Sequence, residues 1–204
     1  MKQNQQTQTE RLILASQSPR RRDLLEEAGI PIDIIPSHAE ELLPPGEPPK
    51  VCAMALARLK AQEVAAENPD RWVLGADTIV VVDQTILGKP NSPEEAHRML
   101  QTLSGQVHQV MTGFCLVNRQ KGHDICDVVI TEVVFKELSE AELSWYIKTG
   151  EPFDKAGGYG IQGKGASLVR EIRGSYTNVV GLPVCEVVEQ LQALNLVKRR
   201  EEKE

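Results

Sequence analysis

Apolar positions along this chain follow two rhythms: short unbroken runs, and longer stretches with helical spacing. Leu12-Ile13-Leu14 is an unbroken run of the buried-strand kind. An amphipathic stretch, Asp23 to Ala28, follows and ends at Gly29; Ser18 stands at its N-cap position and Pro19 in its first turn, where proline is tolerated. Ile32 to Ile35 predicts a short strand closed by Pro36, and the acidic, proline-rich residues 38 to 49 predict a loop. Val51 to Glu67 carries Ala and Leu at helical spacing and predicts a helix stopped by Pro69. Trp72 to Ala76 and Ile79 to Asp83 read as strand segments interrupted by Asp77-Thr78. Ser92-Pro93-Glu94-Glu95 opens another helix, with Gly105 after its end. Val107 to Asn118 and Asp124 to Lys136 read as the two long strands of a hairpin. Ser139-Glu140-Ala141-Glu142 is a capping box for a helix that Gly150 ends. Five glycines occupy the nine positions 157–165, Ala166 to Ile172 reads as a strand, and Leu182-Pro183 leads into a last helix reaching about Leu194.

This alternation predicts an α/β fold. The expected organisation is one domain over residues 11–197, with two lobes around a cleft. A polar, glutamine-rich, disordered extension (1–10) precedes it and a mixed-charge tail (198–204) follows it. The first ten residues lack the apolar stretch of a signal peptide, and no apolar run approaches membrane-spanning length.

Charge narrows the function classes. A net charge of −6 in 204 residues excludes a dominant basic face for nucleic acid polymers. It leaves room for a local basic pocket. The four cysteines, Cys52, Cys115, Cys126 and Cys185, show no metal-type spacing. Each is expected to be a small core residue, which suits a reducing cytosol.

Arg20-Arg21-Arg22 lies in the first turn of a helix, where the backbone dipole favours acids. An anion bound there by free N–H groups and guanidinium forks would explain it; a solvated basic surface is the plainer alternative. Asp77, between apolar segments, reads as a general base or metal ligand facing a cleft, or as a turn aspartate. Lys89, between Gly88 and Pro90, projects from a strand end, where α/β proteins often hold ligands. A solvated turn lysine fits the same pattern. Lys60 borders the apolar stripe of its helix and either snorkels or reaches a phosphate. In the glycine-rich segment, Gln162 offers one donor and one acceptor side by side, suited to a base edge; a flexible linker is the alternative. The segment is not a phosphate loop of the G-x-x-x-x-G-K-[ST] type. The histidines, His97 in a helix and His108 in a strand among them, show no ligand spacing and read as structural.

Taken in order, several segments resemble the Maf family of nucleoside triphosphate pyrophosphatases. They are Ala15-Ser16-Gln17-Ser18-Pro19-Arg20-Arg21, Gly75-Ala76-Asp77-Thr78, Leu87-Gly88-Lys89-Pro90 and Leu103-Ser104-Gly105 with His108. The series continues through Thr149-Gly150-Glu151-Pro152, Asp154-Lys155-Ala156-Gly157, Gln162-Gly163 and Asn178-Val179-Val180-Gly181-Leu182-Pro183. The resemblance implies an elongated mixed β-sheet flanked by helices, with two lobes around a central cleft. It implies a cytoplasmic enzyme, often a homodimer, that converts nucleoside triphosphates to monophosphate and pyrophosphate with a divalent cation, Mg²⁺ or Mn²⁺. One branch of the family acts on dTTP and UTP and another on 7-methyl-GTP. Arg20, Thr78 and Gln162 match the dTTP/UTP branch. Lys60 matches the family's lysine on its second helix and with Lys89 would bind substrate, Asp77 would act as general base or metal ligand, and Glu41 matches a metal-binding acid; here Glu40-Glu41 stands where the family usually has Asp-Glu. A 7-methyl-GTP enzyme and a non-catalytic nucleotide sensor acting in cell division are the alternatives.

Overall fold

A computed structural model of the chain describes residues 11–41 and 46–197. The expected N-terminal extension and charged tail lie outside the described residues. The described residues build one mixed sheet of seven strands. Strand β1 (Leu12–Leu14) pairs in parallel with β2 (Ile32–Ile34) and with the start of β3 (Val73–Val82). The rest of the sheet is antiparallel: β4 (Thr85–Leu87) folds back on the end of β3, β5 (Val107–Asn118) runs along nearly all of β3, and β6 (His123–Phe135) and β7 (Val169–Arg173) follow. The β3–β4 hairpin turns on two residues, Asp83 and Gln84, both at positive φ, as a tight two-residue hairpin requires.

β3 corrects one expectation. Asp77-Thr78 does not interrupt a strand; it lies inside a continuous one. β5 supplies the backbone ladder at that point, with Asp77 opposite Gly113 and Thr78 opposite Thr112. The two side chains find polar partners in the cleft, so neither is buried unsatisfied. The strand expected over 166–172 also begins later. Residues Gly163–Leu168 form a 3-10 turn, and β7 starts at Val169.

Six α-helices complete the described chain: α1 (Pro19–Glu27), α2 (Pro49–Glu67), α3 (Pro93–Leu103), α4 (Glu140–Lys148), α5 (Tyr176–Val180) and α6 (Val184–Ala193). α2 starts two residues before the expected Val51, because Pro49 fits the first helical turn. It lies on one face of the sheet through Ala53, Ala57 and Ala61, spaced one turn apart. Beneath them stand Gly75 and Gly113. A Cβ on Gly75 would lie 2.3 Å from the Ala57 carbonyl oxygen, and one on Gly113 2.3 Å from that of Ala53. Only glycine permits this approach of helix backbone to strand backbone.

The opposite face carries two separate apolar clusters. Leu25 of α1 and Val187 and Leu191 of α6 cover Leu74, Ala76 and Phe114. Leu100 of α3 and Leu143 and Tyr146 of α4 cover Val80, Val82 and Val133. Thr78 falls between Ala76 and Val80, at the seam where the two clusters part.

The cysteines correct a second expectation. The hairpin register sets Cys115 directly opposite Cys126, and the two are joined as a disulfide. Cys52 is buried as expected, whereas Cys185 is exposed. A sequence separation of 11 hid the pairing, because only the register of β5 on β6 shows that they face each other. The compartment argument drawn from four separate core thiols falls with it.

Candidate active site

The site is a slot in the sheet. Along β3, Leu74 is the last residue paired with β1 and Val80 the first paired with β4. Between them that edge of β3 has no strand partner among the described residues. The parallel and antiparallel parts of the sheet meet here, a place where open α/β sheets bind ligands. A cleft of about 910 Å³ opens over the slot. The β1–α1 connection, the end of β4, the glycine-rich segment and the turn after α5 line its walls.

Because the slot exposes the strand edge, side chains from both faces of β3 reach one cleft. Asp77 points to the α2 side. Lys60, brought down by the close packing of α2, sets its Nζ 2.5 Å from Asp77 Oδ1 and 2.7 Å from Glu41 Oε1. The Asp77 and Lys60 side chains are only 10% and 12% exposed, against 48% for Glu41. Burial raises the Glu41 carboxyl. The bond to Lys60 and the charges of Lys60, Lys89 and Arg21 outweigh it and hold the group below its usual range. Lys60 therefore does not snorkel: its ammonium joins the two acids inside the cleft.

Thr78 points to the other face, and there it meets a residue the sequence reading did not single out. Arg21 is buried. Its Nε donates to the Gly181 carbonyl at 2.8 Å, its Nη1 to Ser16 Oγ at 3.0 Å, and its Nη2 to Thr78 Oγ1 at 3.0 Å. Thr78 Oγ1 also shares a 2.9 Å hydrogen bond with Thr112 Oγ1, which in turn donates to the Asn178 carbonyl at 3.1 Å. One guanidinium thus ties three cleft segments together: the β1–α1 connection, β3 and the turn after α5. Its signal was present in the helical period, since Arg21 stands one turn before the buried Leu25 on α1.

The arginine run divides three ways. Arg21 turns inward, and Arg22 turns out to Asp23 at 2.7 Å. Arg20 stays at the rim, 29% exposed, with Nη1 3.0 Å from Asp154 Oδ2. Lys155 binds the same carboxylate at 2.5 Å. Burial raises the Asp154 carboxyl, but these two cations prevail and lower it. Ser18 makes no side-chain cap bond on α1, so the helix N-terminus lies in the cleft wall without a capping oxygen of its own. Lys89 is exposed beyond β4 and acts on Glu41 through its charge. Gly157 N–H donates to the Gly88 carbonyl at 2.9 Å, joining that strand end to the glycine-rich segment. Gln162 is exposed in the cleft lining, across from β3. All of the predicted site residues, Arg20, Glu41, Lys60, Asp77, Thr78, Lys89 and Gln162, are brought to this one cleft.

Residues 11–194 match the family model described as Maf-like protein. The chain belongs to the Maf family. Among its curated relatives, a dTTP/UTP pyrophosphatase of Syntrophus aciditrophicus is 53% identical over 184 residues, 90% of each chain. A protein of the same name from Syntrophotalea carbinolica is 51% identical over 189 residues, covering 92% of this chain and 86% of the relative. Another from Clostridioides difficile is 49% identical over 181 residues, covering 89% and 93%.

In this Maf chain the donors at the slot are two carboxylates, Asp77 and Glu41, converging on one ammonium. Hard oxygen donors of this kind suit Mg²⁺ or Mn²⁺, which keep several waters and need few protein acids. The residues fit such a cation. His97 lies outside this set, paired with Glu140 at 2.8 Å. His108 is buried, shares a 2.7 Å hydrogen bond with Tyr159 and is pushed down to about 4 by burial. Neither lines the cleft. No helix among the described residues is long and apolar enough to cross a membrane.

Proposed function

We propose that this chain is a nucleoside triphosphate pyrophosphatase that hydrolyses dTTP and UTP to the monophosphate and pyrophosphate. The supporting observation is the Asp77–Lys60–Glu41 cluster, its Asp77–Lys60 pair nearly enclosed, set in a slot ringed by Arg20, Lys89 and the N-terminus of α1. Cleavage between the α- and β-phosphates adds negative charge to the leaving pyrophosphate, and placed cations lower that barrier. Arg20, Lys60 and Lys89 supply them. Arg20 must leave Asp154 to bind substrate. That exchange is inexpensive for an ion pair at the rim. Asp77 acts at the attacking water, as its proton acceptor or as a holder of the cation beside it. A divalent cation held by Asp77 and Glu41 would add Lewis-acid charge.

Gln162 reads the base. Its amide can pair with the O4/N3 edge that thymine and uracil share. Thr78, whose hydroxyl already serves Arg21 and Thr112, shapes the floor of the cleft. The single domain over 11–197, read from the unbroken alternation of elements, belongs to the same proposal, as do cytoplasmic location and homodimeric assembly, which rest on the family resemblance. The assembly is measured by light scattering on the purified protein.

The deciding experiment is product analysis over dTTP, UTP, CTP, GTP and 7-methyl-GTP, with and without Mg²⁺ or Mn²⁺. Expected is monophosphate plus pyrophosphate from dTTP and UTP, abolished by excess chelator. Orthophosphate as product, or a preference for 7-methyl-GTP, overturns the reading.

A further inference from the structure

Gln162 stands on a segment with little regular structure to hold it. Residues 159–162 belong to no helix or strand, and glycines at 160, 163 and 165 leave the backbone free in the unfolded chain. A side chain that reads a base edge must nevertheless sit within a fraction of an ångström of its place. The structure holds the segment at two points, one on each side of Gln162.

On the N-terminal side the anchor is Tyr146, a fully buried residue of α4. Its hydroxyl accepts the Gly160 N–H at 3.2 Å. A Cβ on Gly165 would lie 2.7 Å from that hydroxyl and 2.2 Å from the Gly160 carbonyl oxygen, so the two ends of the segment cross directly on the phenol. Burial pushes the Tyr146 phenol up to about 12, with Glu151 adding to the rise, so it remains protonated. On the C-terminal side the anchor is Glu151. Its Oε1 accepts the Lys164 N–H at 3.2 Å and its Oε2 the Gly165 N–H at 3.3 Å. Gly163, at φ +66°, passes so close that a Cβ there would meet Glu151 Oε1 at 3.1 Å. Glu151 is itself fixed: its N–H donates to Thr149 Oγ1 at 3.1 Å, and its carbonyl accepts Lys155 Nζ at 2.7 Å.

We propose that Tyr146 and Glu151 are positioning residues for base selection, clamping the backbone on both flanks of Gln162 so that its amide is presented to the cleft in one orientation. This inference rests on the reading of Gln162 as the base contact. A carboxylate in the lining of a triphosphate cleft is costly unless it is employed elsewhere, and two backbone N–H bonds are that employment.

The test compares kcat and KM for UTP and GTP in Glu151→Ala, Glu151→Gln, Tyr146→Phe, Gln162→Ala and the Glu151→Ala/Gln162→Ala double variant, with melting midpoints for each. In Glu151→Ala the UTP-over-GTP preference should fall about tenfold, mainly through a raised KM for UTP, with kcat changed less than about threefold. Glu151→Gln keeps one of the two acceptor oxygens and should restore part of the preference. The double variant should discriminate no worse than Gln162→Ala alone, because residues that act through one another are not additive. Should Glu151→Ala fail to fold, Tyr146→Phe, which loses one oxygen, carries the test with a smaller fall of the same kind. An additive double variant overturns the proposal. So does a loss of kcat in Glu151→Gln that is uniform across nucleotides, which would place Glu151 among the reacting groups. If Gln162→Ala erodes the preference while Glu151→Ala and Tyr146→Phe leave it intact, the clamp is wrong and the role of Gln162 stands. If Gln162→Ala changes nothing, the base contact and the clamp fall together.

Discussion

On the β3 side of the cleft, polar side chains are held mostly by other side chains. Asp77 has Lys60; Thr78 has Arg21 and Thr112; Arg21 has Ser16, Thr78 and Gly181. Across the cleft the arrangement is inverted. The glycine-rich segment offers mostly backbone, and what holds it is a few side chains behind it: Tyr146, Glu151 and, at its root, Tyr159 bonded to His108. The first wall suits chemistry that is the same for every triphosphate, where charges must stay fixed and desolvated. The second suits recognition of a base, where the chain must approach its ligand closely. On the proposed reading the reacting groups lie on the β3 wall and the base-reading Gln162 on the other, with Thr78 the one branch-matching residue on β3 itself.

The sharpest way to break that division is Asp77→Asn. The shape is kept while charge and basicity go, so turnover should fall roughly 10²–10⁴-fold for every nucleotide alike. The ranking of nucleotides should not move, and kcat/KM over the panel checks both. A change of ranking would mean that Asp77 itself takes part in selection.

Arg21→Ala beside Arg20→Ala compares two neighbours with opposite duties. Removing Arg21 leaves the Gly181 carbonyl and two hydroxyls without their donor inside the fold and should cost about 2–4 kcal/mol of stability. Removing Arg20 breaks an ion pair at the rim and should change stability by less than about 1 kcal/mol while raising KM. Denaturant unfolding of both variants, with Michaelis constants, separates the two.

Acid probes the second wall. His108 meets the Tyr159 hydroxyl and the Phe135 and Tyr159 rings edge-on, and burial is what lowers its value. Its folded value, about 4, lies below the ordinary 6.5, so between these values the unfolded chain binds the proton that the folded one refuses. Stability contributed by the neutral ring is present above 6.5 and is lost as pH falls towards 4; by pH 5 the loss should be on the order of 2 kcal/mol. Melting midpoints at pH 7 and pH 5 should differ more in the wild type than in His108→Gln.

Much of this site was legible because its parts lie where the alternation of elements breaks. Asp77 and Lys89 interrupt apolar runs, Lys60 borders a helical stripe, and Gln162 lies in a glycine cluster. The continuity of β3 was not legible, since two polar residues look like a break until β5 is known to supply the ladder beside them. Arg21 could not be told from Arg20 by residue type. Only the face of α1 on which each lies distinguishes them, and that face is set by where Leu25 packs. The Cys115–Cys126 bond depended on a strand register that spacing alone does not reveal.

The slot in the sheet also decides which genetic changes this site can absorb. Asp77 and Thr78 are neighbours in sequence that serve opposite faces of β3, so their duties depend on whether a position is odd or even along the strand. Point substitution changes one side chain and leaves that parity alone. A single codon inserted or deleted between Val73 and Asp77 sets the two halves of the strand out of step, so that the packing faces before the change no longer match the cleft faces after it. The tight Asp83-Gln84 turn and the long pairing with β5 leave no slack to restore the frame. A change in the length of this strand therefore disturbs both faces of the site at once, where a substitution disturbs one.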